Sequence, residues 1–229
     1  MASKCIHCKQ TAVPVWDNRS EKFKPLLSVC LDCFKTKEHH EYPYKYLEVF
    51  ENHGWRFQMT HPTTPIIFLE TVVSRLAPQM QTAWNNYEPH KSMLLHGVTG
   101  TGKTRTAWMM FNKAWHHYYP RNSEFISMRR LEQKIENGFA NNNHGNVLDA
   151  MINCAVLGLD DLGKERLTPR METDLFAIID ERTSNKRPTI ITTNYNGNKL
   201  EERFNNTETG SAIVRRLKDY FEIHGATKE

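Results

Sequence analysis

The 229-residue chain has no apolar run near the roughly 18 residues that a membrane-spanning helix needs. Its first residues, Met1-Ala2-Ser3-Lys4-Cys5, lack the apolar stretch of a secretory signal. A cytoplasmic protein without a membrane partner is expected, in the host cytoplasm if the chain is phage-encoded. No internal repeat and no long low-complexity tract is present, which argues against a solenoid or a disordered chain. Neither sign of charge dominates. The 30 Lys and Arg exceed the 26 Asp and Glu by enough for a net charge of +4, which permits a nucleic-acid partner without requiring one.

Cysteine is scarce, and its distribution is uneven. Four of the five lie in the first 33 residues, as Cys5-x-x-Cys8 and Cys30-x-x-Cys33. In a reducing compartment such residues are better read as metal ligands or thiols than as disulfides. Each CxxC pair places two thiolates on one tight turn, and two such turns close a tetrahedron around Zn²⁺. All four positions are filled, so Cys5, Cys8, Cys30 and Cys33 are expected to form a structural zinc site with no open position for catalysis. A segment this short buries little, so the metal would supply its folding energy. Cys154 precedes an apolar run and is expected to be a buried core residue.

After the cysteines comes a stretch with Tyr42, Tyr44, Tyr46, Phe50, Trp55 and Phe57 between charges, ended by Pro62 and Pro65. It reads as a linker whose aromatics pack the small domain or stack on single-stranded bases. Residues 66–87 read as helix, with Ile67, Val72, Leu76 and Met80 on one face and a break at Pro78. A boundary near residue 60 divides the chain into a zinc-binding domain with linker, 1–60, and a larger domain, 61–229.

The larger domain begins with a complete phosphate-binding loop, Gly97-Val98-Thr99-Gly100-Thr101-Gly102-Lys103-Thr104. Glycines let successive N–H groups point at one set of phosphate oxygens. Lys103 brings a charge to the β- and γ-phosphates, and Thr104 offers a hydroxyl to Mg²⁺. Ser92–His96 has strand character and Thr106–Phe111 helix character, the setting this loop needs.

Strand and helix signals then alternate. Strands are expected at Glu124–Met128, Ala155–Leu159, Thr189–Thr193 and Tyr220–His224, and helices at Arg129–Phe139 and Glu172–Asn185. Residues Asn141–Asn146 read only as a polar loop. The alternation predicts an α/β fold, a parallel sheet with helices on both faces. Ligands bind at the carboxyl ends of such strands, where Asp160, Asp161 and Asn194 also fall. Asp160 follows an apolar run and is placed to hold Mg²⁺ together with Thr104. Asp161 is placed to polarise the attacking water, and Asn194 to orient it. A small-molecule kinase is the competing enzyme class; it leaves the strand end Thr192-Thr193-Asn194 and the segment Ser211–Leu217 unexplained.

Taken in order, GVTGTGKT, VLGLDDLGKE, IIDERTSNKRPTIITTN and SAIVRRL resemble the AAA+ ATPases of the DnaC/DnaI/IstB type. The resemblance covers roughly residues 90–225. It implies a P-loop AAA+ sheet without a C-terminal lid, ATP hydrolysis with Mg²⁺, and ATP-dependent self-association into a ring or spiral. By the same resemblance Asn194 matches the sensor 1 position and Arg216 the arginine finger, with Arg215 adjacent. Arg182 also matches a recurrent family position. DnaI-type relatives carry an N-terminal zinc-binding domain, which Cys5 to Cys33 would supply. The implied function is loading a hexameric replicative helicase onto single-stranded DNA. The alternative is an IstB-like ATPase that grips duplex DNA and recruits a transposase. Arg129, Arg130 and Lys134, with Lys164, Arg166 and Arg170, are the basic candidates for DNA contact.

Overall fold

The structure is a computed structural model. It describes residues 61–226 apart from 62, 69, 119, 120 and 165, together with four strands nearer the amino end. Cys5, Cys8, Cys30 and Cys33 lie outside the described residues. The chain divides into two compact units, Met1–Arg75 and Leu76–Glu229.

In the first unit, β1 (Val15–Asp17) pairs antiparallel with β2 (Lys22–Lys24). β3 (Tyr46–Glu51) pairs antiparallel with β4 (Gly54–Met59), Phe50 opposite Trp55, and parallel with β5 (Glu70–Val72). Within the stretch expected to be a linker, Tyr46–Glu51 and Gly54–Met59 are thus paired strands, while Tyr42 and Tyr44 lie outside the described residues. In β4, Trp55, Phe57 and Met59 alternate with Arg56 and Gln58 at the period of a strand, a pattern that a reading by composition passes over.

The long helix expected over 66–87 is also corrected. Residues Ile66–Phe68 and Val73–Arg75 are single 3₁₀ turns flanking β5, and the helix α1 spans only Pro78–Asn86. Pro78 sits in the first turn, where its missing N–H costs nothing. Ala77 before it is extended at ψ 144, as a residue preceding proline prefers. Proline here starts the helix instead of breaking one, and Ile67 is exposed.

The second unit is built on five parallel strands: β6 (Met93–Gly97), β7 (Glu124–Ser127), β8 (Leu157–Leu162), β9 (Thr189–Thr193) and β10 (Glu222–Ala226). Their spatial order is β10-β6-β9-β8-β7, and every pair is parallel. The helices are α2 (Lys103–Tyr118), α3 (Met128–Ala140), α4 (His144–Asn153), α5 (Pro169–Ser184), α6 (Gly197–Glu201) and α7 (Thr207–Tyr220).

The central strands carry apolar stretches, Met93–Leu95, Leu157 with Leu159, and Ile190–Ile191, because both faces are covered there. On one face Leu94, Leu157, Leu159 and Ile191 pack with Leu131 of α3, Met151 of α4, Leu175 and Ile178 of α5, and Ile213 of α7. α2 packs on the sheet through a side so deeply buried that Ala107, Met109, Met110, Phe111 and Ala114 are fully inaccessible. Phe125 of β7 stacks on Trp108 of α2 with ring centroids 3.8 Å apart. A methyl group on Gly158 would strike that Phe125 ring, which is why β8 carries glycine there.

The expected strands and helices lie where read, within a few residues. Two departures matter. His144–Asn153 is the helix α4, where only a polar loop was expected over 141–146; Val147 and Met151 anchor it one turn apart. β8 continues through Asp160 and Asp161 to Leu162 instead of ending before them. Among the described residues, no helix is long and apolar enough to cross a membrane.

Candidate nucleotide site

β6 delivers the chain to the phosphate loop, and α2 carries it away from Lys103. Gly97 has φ +128, and a Cβ there would overlap the carbonyl of Ala226 on β10. Gly102 has φ +89, and a Cβ there would crowd Leu76. Both glycines are needed for conformation and for close approach. Thr101 ties the loop to itself by donating to the Val98 carbonyl at 3.0 Å. Lys103 is buried at the centre of the loop, and its ammonium donates to the carbonyls of Gly97 and Val98, each at 2.8 Å. Burial lowers its pKa, and the charges of Asp161 and Asp160 pull it back up.

The two aspartates stand on a β-bulge. Leu159 pairs with Ile191 and Leu162 with Thr193, so Asp160 and Asp161 together face the single residue Thr192. Such bulges re-aim side chains at sites of function. Asp161 has φ +64, a left-handed conformation that costs a non-glycine residue about 1–2 kcal/mol. Its carboxylate pairs with Lys164 at 2.7 Å. Asp160 accepts from the Thr104 hydroxyl at 3.0 Å and from the Thr192 hydroxyl at 2.5 Å, both on Oδ1. Burial raises the Asp160 pKa, the hydroxyls of Thr192 and Thr104 lower it, and the Asp161 charge raises it again.

This donor set fits a hard divalent cation. A carboxylate only accepts, so the Thr104 proton is committed to Asp160 and its lone pairs remain for a metal. The hydrogen bonds to Asp160 from described residues all end on Oδ1, leaving Oδ2 for the same ion. Mg²⁺ retains waters and takes few protein oxygens, as this pair would offer.

Asn194 follows β9 directly, one residue beyond the level where Thr193 pairs with His96 of β6 and Leu162 of β8. It therefore lies at the same sheet edge as the phosphate loop and the aspartates. Beside Asp161 a cleft of about 190 Å³ is lined by Ser127, Met128, Arg129, Glu132, Lys164 and Leu167. Arg129 and Lys164 of the basic candidates thus share this cleft. The others are engaged or apart: Lys134 pairs with Glu124 at 3.2 Å, Arg170 with Asp174 at 3.3 Å, and Arg130 and Arg166 are exposed.

The two family arginines of α7 differ in setting. Arg216 is partly buried, bonded to Asp180 of α5 at 2.5 Å, with its guanidinium 4.5 Å from the centre of the Phe176 ring. Arg215 is exposed and makes no ion pair with a described residue. Arg182, read above only as a recurrent position, is almost wholly buried. It donates to Thr189 at 2.8 Å and to the carbonyls of Met151, Ile152, Cys154 and Pro188 at 2.8–3.0 Å. It thereby caps the carboxyl end of α4. Cys154 is buried as expected, its thiol pKa raised by burial.

Thr192 was not singled out from sequence. A threonine in a β-rich run reads as strand propensity, and only the bulge reveals its hydroxyl between two aspartates.

The second unit matches known proteins over most of its length. The model of the IstB-like ATP-binding protein family matches residues 74–226. An ATP-binding protein from an insertion sequence of Mycobacterium tuberculosis is 28% identical over 130 residues, covering 56% of this chain and 50% of that one. This chain thus spans about half the length of that relative. Among solved structures, the DnaC helicase loader superposes with TM-score 0.53 at 25% identity, over 64% of this chain and 85% of that one. DnaI gives TM-score 0.54 at 18% identity, over 71% and 94%. The replication initiator DnaA, bound to AMPPCP and single-stranded DNA, gives TM-score 0.54 at 16% identity, over 66% and 45%. A phosphate loop after β6, paired aspartates on β8 at the same sheet edge and a family match across two thirds of the sequence lead to one conclusion: the chain has the P-loop AAA+ fold and belongs to the IstB-like ATP-binding protein family.

Proposed function

We propose that this ATPase loads a hexameric replicative helicase onto single-stranded DNA. The observation that carries this reading is the match to the DnaC helicase loader over 85% of that protein's chain. The two CxxC pairs in the first unit add to it. In this reading Cys5, Cys8, Cys30 and Cys33 hold a structural Zn²⁺, and the domain around them grips the helicase.

The chemistry assigned to the residues is as follows. The loop N–H groups of Gly97 to Thr104 and the ammonium of Lys103 bind the phosphates. Thr104 and Asp160 would hold Mg²⁺, which would supply positive charge against the negative charge developing on the phosphates. Asp161, released from Lys164, accepts a proton from the attacking water, and Asn194 orients that water. An arginine of α7 from a neighbouring subunit completes the site, as an arginine finger does elsewhere. The exposed side chain of Arg215 suits this reach better than Arg216, which is held by Asp180 and Phe176.

A second reading is favoured by the insertion-sequence relative: an ATPase that assembles on duplex DNA and recruits a transposase. Native mass spectrometry with ATP and the cognate replicative helicase separates the two. A complex with six helicase subunits, lost on replacing Cys5 and Cys8, is expected for the loader. Absence of that complex, with ATP-dependent oligomers on duplex DNA, would establish the second reading instead.

A further inference from the structure

Two adjacent threonines of β9, Thr192 and Thr193, are fully buried, and their hydroxyls have different tasks. Thr193 donates to the Leu162 carbonyl at 2.6 Å and accepts from the Tyr195 N–H at 3.2 Å. Both partners are main-chain groups, so Thr193 shapes the strand end. Thr192 instead donates to Asp160 Oδ1 at 2.5 Å and accepts from the Asp161 N–H at 3.0 Å.

The direction of these bonds is not open to choice. A carboxylate only accepts and a backbone N–H only donates. The Thr192 proton must therefore point to Asp160, and a lone pair to Asp161. The register explains why a side chain is used at all. Between the pairs Leu159–Ile191 and Leu162–Thr193, β8 has two residues and β9 has one. Regular ladder bonds cannot serve both aspartates there, and the hydroxyl of that one opposing residue takes their place.

We propose that Thr192 is a positioning residue for ATP hydrolysis. Its single hydroxyl fixes the carboxylate of Asp160 against Thr104 and, through the main chain, the left-handed turn that aims Asp161. The proposal rests on Asp160 holding the cation and Asp161 activating water, as assigned above. Thr192 touches neither the phosphates nor the attacking water; it acts through the two aspartates. Valine has the shape of threonine without the hydroxyl, so Thr192→Val isolates this role. It leaves the Asp161 N–H without its acceptor and Asp160 with one donor in place of two.

The test is steady-state ATP hydrolysis by the full chain with Mg²⁺, paired with equilibrium binding of a fluorescent ATP analogue. Misplaced catalytic groups cost about 10- to 100-fold in rate, and that is the expected fall in kcat for Thr192→Val. Nucleotide affinity is expected to stay within about threefold, since the phosphate loop is untouched. Thr192→Ser keeps the hydroxyl and is expected to recover most of kcat. Should Thr192→Val not fold, Thr192→Ala serves the same comparison. Asp161→Asn separates the two levels of the argument. Inactive Asp161→Asn beside fully active Thr192→Val would overturn the positioning role and leave the site assignment standing. Fully active Asp161→Asn would overturn the assignment and the proposal with it. Equal losses of affinity and kcat in the valine and serine variants would make Thr192 a packing residue only.

Discussion

At the scale of single residues, burial works against the charges of the site and pairing offsets it. Asp160 is the clearest case: burial is the largest influence on its carboxyl and raises its pKa. The folded protein thus holds this proton more tightly than the unfolded chain. The stability from this group is complete below the ordinary carboxylate pKa of about 4 and is lost as pH rises through the raised folded value. Cation binding makes the opposite demand, because it needs the carboxylate. The acid limb of Mg²⁺-dependent hydrolysis is therefore expected above pH 4 by an amount set by that raised value. The pH profile of kcat/KM, which reports the groups of the free enzyme, read beside circular dichroism, checks this. A limb at about pH 4 or lower, with the fold intact, would count against it. Arg182 poses a different problem, a guanidinium buried without a carboxylate. Burial pulls its pKa down to about 10, so it remains charged at neutral pH, satisfied by four carbonyls and a hydroxyl. Arg182→Met strands those carbonyls at about 1–3 kcal/mol per buried group left unpaired. A loss of about 3 kcal/mol or more is expected, a fall of roughly 10 °C in a domain of this size. Thermal denaturation measures it; an unchanged midpoint would show that α4 is capped well enough without it. Nothing in the sequence around Arg182 distinguishes this cap from the helix salt bridge that arginine usually makes.

At the scale of elements, legibility followed burial. Strands covered on both faces have to be apolar, so β6, β8 and β9 stand out as short apolar runs, and the glycine-rich loop marks where β6 ends. α4 escaped notice because its first turn, His144-Gly145-Asn146, resembles loop chemistry and only Val147 and Met151 are core. The bulge in β8 was illegible for a deeper reason. Register is a property of two strands together, and neither Asp160-Asp161 nor Thr192-Thr193 alone says that two residues face one. The bulge also predicts a separation of stability from activity. Asp161 occupies a left-handed conformation that glycine adopts freely, and its ion pair with Lys164 is partly exposed and therefore weak. Asp161→Gly is expected to leave the melting temperature unchanged or raise it by a few degrees, about 1 kcal/mol, while hydrolysis falls to background. Thermal melts and an ATPase assay on the same preparation test this together. A strongly destabilised Asp161→Gly would mean that the carboxylate, and not the site's chemistry, maintains the bulge.

At the scale of the whole molecule, the open issue is whether one chain holds a complete site. β6, β8 and β9 gather the phosphate loop, both aspartates and Asn194 at one sheet edge, and the proposed arginine finger would add a positive charge beyond that of Lys103. The sequence motif at the end of α7 offered two adjacent arginines, and the structure separates them. Arg216 joins α7 to α5 through Asp180 and Phe176. Because Asp180 is more than a third exposed, the ion pair is worth at most about 1 kcal/mol. The ring contact adds roughly as much, so Arg216→Ala is expected to lower the melting temperature modestly. Arg215 has no such duty. Arg215→Ala is expected to leave folding and nucleotide affinity intact and to lower hydrolysis by about 10³-fold or more, the worth of an arginine finger. If the finger acts between subunits, two inactive variants should rescue each other. Arg215→Ala contributes an intact Asp161, and Asp161→Asn contributes an intact Arg215, so their mixture forms some interfaces with both. Hydrolysis by the mixture, well above the sum of its parts and rising with protein concentration, is the expected result. A mixture no more active than its components would place the second charge within a single chain and remove the need for a ring or spiral.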